Sequence, residues 1–170
     1  MAEKIGDSPV NSQSISSLAE RKLEGKPLVL VVDDNPSQQK LFEIISKALG
    51  IMAYIVADCE EAVASSTYFC FDVILMDWQL GGEDGLSCTK RIREIDKKKG
   101  RHTPIIAVTA HAMVGDKEKC LAAGMDDYLS KPFTMGELKE KLAFWLQEKT
   151  EPMMIAPDSQ GLPASTSQAL

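Results

Sequence analysis

Short apolar runs recur along the middle of this chain, and a polar residue follows each of them. Short apolar runs between helical stretches are typical of buried parallel strands. The pattern therefore predicts an α/β fold in which strands and helices alternate. The runs and the residues that follow them are 27–32 with Asp33 and Asp34, 72–76 with Asp77, 104–108 with Thr109, and 128–129 with Ser130 and Lys131.

Helical periodicity fills the stretches between these runs. The first helix is indicated by apolar residues at helical spacing, namely Leu41, Ile44, Ile45, Ala48 and Leu49. Gly50 can end this helix, and Thr134 with Glu137 has the spacing of a capping box at the start of the last one. Strands are predicted at 28–33, 52–56, 73–77, 105–108 and 127–130, and helices at 36–49, 59–66, 86–95, 115–123 and 134–147. This alternation implies a doubly wound parallel sheet with right-handed crossovers.

The polar residues that follow the strands are expected to meet in one pocket, because an open parallel sheet binds its ligands at the carboxyl ends of the strands. Carboxylates crowded together repel one another, and a hard cation such as Mg²⁺, which prefers oxygen ligands, relieves that repulsion. Acids, a hydroxyl and an amine in one pocket indicate divalent-metal and phosphoryl chemistry. The residues concerned are Asp33, Asp34, Asp77, Thr109 and Lys131.

Composition limits the classes of function and the compartment. The chain has 170 residues, 44% of them hydrophobic, and a net charge of −6 without a basic stripe, which fits one globular domain and argues against nucleic-acid binding. There is no apolar run long enough to span a membrane and no signal peptide, so a cytoplasmic segment without membrane contact is expected. The four cysteines lack metal-ligand spacing and are expected to be reduced thiols, most of them packed: Cys59, Cys70, Cys88 and Cys120.

The composition changes at both ends of the chain. Residues 1–26 are rich in Ser, Glu and Lys, and residues 149–170 are rich in Pro, Ser, Gln and Ala, with little periodicity in either segment. Such composition is typical of flexible tails or interdomain linkers. A single folded domain is therefore predicted over residues 27–148.

Five strings in this order resemble the receiver domain of two-component response regulators. They are Val-Asp-Asp-Asn (32–35), Leu-Met-Asp-Trp-Gln-Leu (75–80), Glu-Asp-Gly-Leu (83–86), Ala-Val-Thr-Ala-His-Ala-Met (107–113) and Ala-Ala-Gly-Met-Asp-Asp-Tyr-Leu-Ser-Lys-Pro-Phe (122–133). The last two are most similar to receivers of hybrid sensor histidine kinases. The resemblance implies a flavodoxin-like (βα)5 sheet with strand order 2-1-3-4-5. It also implies a His-Asp phosphorelay in which Asp77 is the phosphoacceptor.

The residues and the resemblance together assign the expected roles. Asp34 and Asp77 are expected to bind Mg²⁺ directly, and Asp33 is expected to bind it directly or through water. Mn²⁺ can substitute for Mg²⁺. The resemblance adds the backbone carbonyl of Gln79 as a metal ligand.

The remaining expected roles concern the phosphoryl group and the response to it. Asp77 is the nucleophile toward a phosphohistidine, while Lys131 neutralises phosphoryl charge and Thr109 hydrogen-bonds a phosphoryl oxygen. The resemblance makes Thr109 and Tyr128 a switch that responds to phosphorylation. It also makes Pro132 a candidate cis-proline.

Several interpretations stay open at this level. The chain can be a receiver cut from a hybrid histidine kinase or a stand-alone response regulator. A haloacid-dehalogenase-type phosphatase also uses an aspartyl nucleophile, but it requires Asp-x-Asp after the first strand, which residues 33–36 lack. An unphosphorylated scaffold is a third class, although such domains usually lose an acid or the lysine.

A receiver implies partners that carry a phosphohistidine. These are the phosphohistidine domain of a histidine kinase and a histidine phosphotransfer protein. Such a partner is expected to dock over the acidic pocket and the first helix. On that helix, Gln38, Gln39 and Phe42 are predicted to face outwards.

Overall fold

The computed structural model describes residues 25–110 and 115–147. Within these ranges, five strands and five helices alternate along the chain. The strands are β1 (Leu28–Val32), β2 (Met52–Val56), β3 (Val73–Asp77), β4 (Ile105–Thr109) and β5 (Asp127–Ser130). The helices are α1 (Pro36–Leu49), α2 (Cys59–Tyr68), α3 (Gly85–Lys98), α4 (Asp116–Ala122) and α5 (Met135–Gln147).

The strands form one parallel sheet in the order β2-β1-β3-β4-β5. This confirms the predicted flavodoxin-like topology. The strand register decides which polar residues become neighbours. Val32 pairs with Met76, so Asp33 and Asp77 come next to each other at the carboxyl edge. Thr109 pairs with Ser130, the last residue of β5, so Lys131 comes directly after β5 at the same carboxyl edge.

The sheet has an apolar cluster on each face, because successive strand residues point to opposite sides. One face of β1 packs with Cys59, Cys88 and Ile92 from α2 and α3. The other packs with Phe42 and Leu138 from α1 and α5. Every residue of β1 is buried, and each buried Leu or Val contributes about 1.5–3 kcal/mol. The central strands therefore provide a rigid support for the residues that follow them.

Two predicted helix boundaries are confirmed by their hydrogen bonds. Gly50 ends α1 with a φ of 69°, a left-handed conformation that favours glycine. At the start of α5, the backbone N–H of Thr134 donates to Glu137 Oε2 (2.7 Å), and the backbone N–H of Glu137 donates to Thr134 Oγ1 (3.2 Å). These reciprocal bonds are the predicted capping box.

A buried ionic network lies near the amino end of β4. Asp96 on α3 is 2% exposed. Its carboxylate accepts hydrogen bonds from Arg93 (3.0 Å), from Arg101 (2.8 Å) and from the backbone N–H of Thr103 (2.8 Å). Burial alone would raise the pKa of the Asp96 carboxyl, but the bonds from Arg101 and Thr103 outweigh it and hold that pKa below its usual value. The network joins the end of α3 to the segment that leads into β4.

None of the four cysteines, all of which lie in the described part of the chain, forms a disulfide bond, and Cys70 is the exposed one among them. No helix within residues 25–110 and 115–147 is long and apolar enough to cross a membrane. The predicted tails, 1–26 and 149–170, lie outside the described residues except for positions 25 and 26, so those boundaries stay a prediction.

Candidate functional site

Three carboxylates meet at the carboxyl edge of the sheet. Asp33, Asp34 and Asp77 each place an oxygen within 4.8 Å of the other two. Asp33 is 1% exposed, Asp77 is half-buried and Asp34 is exposed. The cluster is therefore open to solvent on one side and closed by the core on the other. It is an acidic group of the kind that could hold a metal ion.

Lys131, which directly follows β5, reaches two of these carboxylates. Its Nζ donates to Asp77 Oδ2 (2.7 Å) and to Asp33 Oδ2 (3.0 Å). Burial alone would lower the pKa of the Lys131 ammonium, but the bonds to Asp77 and Asp33 outweigh it and hold that pKa above its usual value. The backbone N–H of Lys131 also donates to the Thr109 carbonyl (2.6 Å), and the Lys131–Pro132 peptide bond is cis.

Hydrogen bonds hold Asp33 in place. Its Oδ1 accepts from the backbone N–H of Asn35 (2.9 Å), and its carbonyl accepts from Gln39 Nε2 (2.7 Å). Asn35 also caps α1 through its side chain, which accepts from the backbone N–H of Ser37 (2.9 Å). The start of α1 and the acidic pair therefore form one connected unit.

The loop after Asp77 lies close against the carboxylates. The backbone N–H of Gln79 donates to Asp77 Oδ1 (3.1 Å). A side chain at Gly81 would place its Cβ 2.8 Å from Asp34 Oδ2, and one at Gly85 would place its Cβ in collision with the Asp77 carbonyl oxygen. Sequence reasoning did not find this close approach, because it depends on how the loop folds back against the carboxylates.

The two predicted switch residues lie on neighbouring strands. Thr109 is buried at the end of β4. Tyr128 on β5 is half-buried and pairs with Ala107, two residues before Thr109. Lys117 Nζ lies 5.6 Å and Lys141 Nζ 5.7 Å from the centroid of the Tyr128 ring, within the range of cation–π contacts. The structure thus places Tyr128 beside lysines of α4 and α5, and the switching role stays a prediction.

The prediction that Phe42 faces outwards is wrong. Phe42 is 3% exposed and its ring lies 5.9 Å from that of Phe133. The side chain of Gln39 is partly buried and donates a hydrogen bond to the Asp33 carbonyl. The exposed large apolar residues of α1 are Leu41 (40%) and Ile44 (56%). Both belonged to the predicted periodic set, so the periodicity was right but did not show which residues reach the core.

The sequence model of the response regulator receiver domain matches residues 29–143. The chain belongs to this family. The matched range holds all the acids, the lysine and both switch candidates described above. Residues 111–114, which include part of the fourth string, lie outside the described residues.

This receiver is similar to Hybrid signal transduction histidine kinase I of Dictyostelium discoideum, with 45% identity over 109 residues. The match covers 61% of this chain but only 6% of that relative.

Solved structures of receivers have the same fold. The receiver domain of a Pseudomonas aeruginosa sensor histidine kinase, crystallised with magnesium in its active-site cleft, is 44% identical, with a TM-score of 0.66. The match covers 72% of this chain and 98% of that one. The receiver of Saccharomyces cerevisiae Ssk1, crystallised with the histidine phosphotransfer protein Ypd1, is 29% identical, with a TM-score of 0.69 over 76% of this chain and 94% of that one.

The donor atoms of this receiver suit a hard divalent cation. The cluster offers carboxylate oxygens, which Mg²⁺ prefers, and contains no sulfur or imidazole ligand among its members. Lys131 neutralises part of the charge, and the exposed Asp34 leaves the cluster accessible from solvent. The same arrangement suits phosphoryl transfer, in which positive charge must surround the transferring group.

Proposed function

We propose that this receiver accepts a phosphoryl group on Asp77 from a phosphohistidine in a His-Asp phosphorelay. The observation that carries the proposal is the convergence of Asp77 with two further carboxylates and Lys131 at one edge of the sheet. Carboxylates that form aspartyl phosphates are an established class of nucleophile.

Each residue then has a defined part in the transfer. An Asp77 oxygen forms a bond to phosphorus while the bond from phosphorus to the donor imidazole nitrogen breaks. Lys131 lies 2.7 Å from Asp77 Oδ2 and provides positive charge beside the group that arrives. Thr109, at the end of the adjacent strand, hydrogen-bonds a phosphoryl oxygen and transmits the change to Tyr128.

The metal site in this proposal is built from four residues. Asp34 and Asp77 hold Mg²⁺ directly, Asp33 does so directly or through water, and the backbone carbonyl of Gln79 completes the protein ligands. Mn²⁺ can take the place of Mg²⁺. When bound, the cation offsets the negative charge of the phosphoryl oxygens.

The experiment that tests the function is intact-mass analysis after incubation with acetyl phosphate and Mg²⁺. We expect one added phosphoryl group, which requires Mg²⁺, disappears with EDTA and is labile to alkali. An unchanged mass, with Mg²⁺ binding confirmed by Trp78 fluorescence, would instead favour a scaffold. Turnover of a phosphomonoester substrate would favour a phosphatase.

Lys131→Ala is expected to retain Mg²⁺ binding and to lose most of its reactivity. Removal of the ammonium leaves Asp33 and Asp77 without a competing cation, so the affinity for Mg²⁺ stays equal or rises. The rate of phosphorylation by acetyl phosphate is expected to fall by about tenfold or more, since charge beside the transferring group is lost. Trp78 fluorescence measures the first effect and mass spectrometry the second. Lys139→Ala, at an exposed position on α5, is the control, and loss of Mg²⁺ binding in Lys131→Ala would contradict this role.

The partner in this proposal is a helical domain that carries the phosphohistidine. It belongs to a histidine kinase or to a histidine phosphotransfer protein. Leu41 and Ile44 form an exposed apolar pair on α1, the helix that begins directly beyond the acidic pair. A partner that covers this pair brings its histidine to the carboxyl edge of the sheet.

Ile44→Lys is expected to slow phosphoryl transfer from a phosphorylated histidine phosphotransfer protein by about tenfold or more, because a charge in the apolar centre of an interface removes a main contact. Phosphorylation by acetyl phosphate should not change, since the small donor does not use this surface. Leu121→Lys, at an exposed apolar position on α4, is the matched control. If Ile44→Lys and Leu121→Lys accepted the phosphoryl group from the phosphotransfer protein at the same rate, the docking surface would lie elsewhere.

We further propose that this receiver is the cytoplasmic receiver part of a longer hybrid histidine kinase, in which residues 1–26 and 149–170 are linkers. The match to a hybrid histidine kinase, which is 45% identical and covers only 6% of that relative's length, supports this origin. A stand-alone response regulator is the alternative. In neither case does the proposal assign a nucleic-acid or membrane contact to this segment.

A further inference from the structure

The loop of residues 78–84, here called the site loop, is anchored to α3 through the side chain of Glu83. Glu83 Oε2 in this loop accepts a hydrogen bond from Arg91 Nη1 on α3 (3.1 Å). The same guanidinium forms two bonds to Glu60 in the first turn of α2, at 2.6 and 3.0 Å. Arg91 therefore connects the site loop to two helices. A guanidinium held by a two-point carboxylate contact is fixed in direction as well as in position.

Cys59 adds to this anchor. Its Sγ lies 3.6 Å from Arg91 Nη1. Burial raises the pKa of the Cys59 thiol to about 11, and the nearby Glu83 carboxylate adds to the rise. The thiol is therefore uncharged at neutral pH and leaves the charge of Glu83 to be balanced by Arg91. Glu83 and Arg91 are both about one-third exposed, so this ion pair is partly shielded from solvent.

The other side of the site loop lies against the acidic cluster. The backbone N–H of Gln79 bonds Asp77 Oδ1, and Gly81 approaches Asp34 so closely that no Cβ fits without displacing its carboxylate. Gln79 also forms a bridge to Asp84, which closes the loop on itself. A displacement at the Glu83 end is therefore transmitted to the groups that surround the cluster.

We propose that Arg91 is a positioning residue for the metal site of this receiver. Through Glu83 it holds the site loop against Asp34 and Asp77, and it thereby sets the affinity for the divalent cation. The inference rests on the proposed function, because it concerns the same site, but it assigns a role to a residue that contacts neither the cation nor the phosphoryl group.

Because Arg91 is charged, the direction in which the Kd for Mg²⁺ changes on its removal tests the inference. Removing a positive charge from the protein strengthens the attraction of Asp33, Asp34 and Asp77 for Mg²⁺, so an effect of charge alone lowers the Kd. Loss of the loop anchor raises the Kd instead, because the ligands are no longer held together. Arg91→Ala separates the two effects since they act in opposite directions.

The experiment is a Mg²⁺ titration followed by Trp78 fluorescence, well below the unfolding temperature of each variant. Lys90→Ala is the matched control, because it removes the same charge from the exposed position directly before Arg91 on α3. We expect Arg91→Ala to raise the Kd for Mg²⁺ by about threefold to tenfold, and Lys90→Ala to leave it equal or lower. Arg91→Lys keeps the charge but loses the two-point contact, so its Kd should lie between those of the wild type and Arg91→Ala.

Amide hydrogen exchange supplies a second measurement. Backbone amides of residues 79–84 should exchange faster in Arg91→Ala than in the wild type, while those of β1 and β3 should not change. An equal or lower Kd in both Arg91 variants would overturn the inference while the proposed function stands. A wild-type protein that does not respond to Mg²⁺ would overturn both.

Discussion

Asp77→Asn is expected to reduce phosphoryl incorporation from acetyl phosphate by at least about a hundredfold, because loss of an enzyme's nucleophile costs several orders of magnitude in rate. An amide has nearly the shape of the carboxylate but lacks its nucleophilic charge. The fold should survive, since Asp77 is at the end of β3 and Lys131 keeps its bond to Asp33 in the variant. Intact mass over a time course with Mg²⁺ measures the incorporation, and circular dichroism checks the fold.

Asp84→Asn is the matched control for this prediction. Asp84 is an exposed acid seven residues further along the chain, and its side chain caps α3 by accepting from the backbone N–H of Ser87 (2.6 Å). Asparagine is an equally good cap, so the helix should keep its start. The control should be phosphorylated like the wild type. If Asp77→Asn were also phosphorylated at the wild-type rate, the phosphoacceptor would be another residue.

The second large effect is expected in stability. Asp96→Ala should lower the free energy of unfolding by about 3 kcal/mol, the scale for removing one partner from a buried ion pair. The loss leaves the guanidinium groups of Arg93 and Arg101 with fewer partners, and it frees the backbone N–H of Thr103. Domains of this size are stable by about 5–15 kcal/mol, so the variant should fold but unfold at lower urea concentration. Glu94→Ala, an exposed acid on the same helix, should change stability by less than about 0.5 kcal/mol.

The same carboxylate gives stability a defined pH dependence. The pKa of Asp96 is lowered in the folded state, so its contribution is complete above the unfolded value of about 3.9. That contribution is lost as pH falls through the lower, folded pKa. As the pH falls below about 4, the wild type should therefore lose more stability than Asp96→Ala. Urea unfolding at several acidic pH values tests this, and parallel pH curves for the two proteins would count against it.

Much of the site could be predicted because the position of its residues depends on short stretches of sequence. An apolar run fixes a buried strand, and the first polar residue after it marks the carboxyl edge of the sheet. Asp33, Asp77 and Lys131 follow such runs, so their meeting required only a parallel sheet with neighbouring strands in the right order. That order came from the resemblance, and the register confirms that Asp33 and Asp77 are adjacent.

The outward face of α1 could not be predicted in the same way. Its apolar residues cover more than one side of the helix, and helical spacing does not show which side is buried. Contact with α5, through Leu138 and Leu142, places Phe42 inside and leaves Ile44 exposed. The partner surface in our proposal therefore depends on tertiary packing.

The sequence by itself determined the fold class, the alternation of strands and helices along the chain, and the acids and lysine that meet at the carboxyl edge of the sheet, because burial of short strands and the chemistry of their ends are local properties. Only the tertiary structure decided the ion pairs around Arg91. Arg91 lies 31 residues from Glu60 and 8 from Glu83, and no periodicity connects them. The pair with Glu60 forms because packing of α2 against α3 brings the two side chains within hydrogen-bonding distance, which no local pattern records.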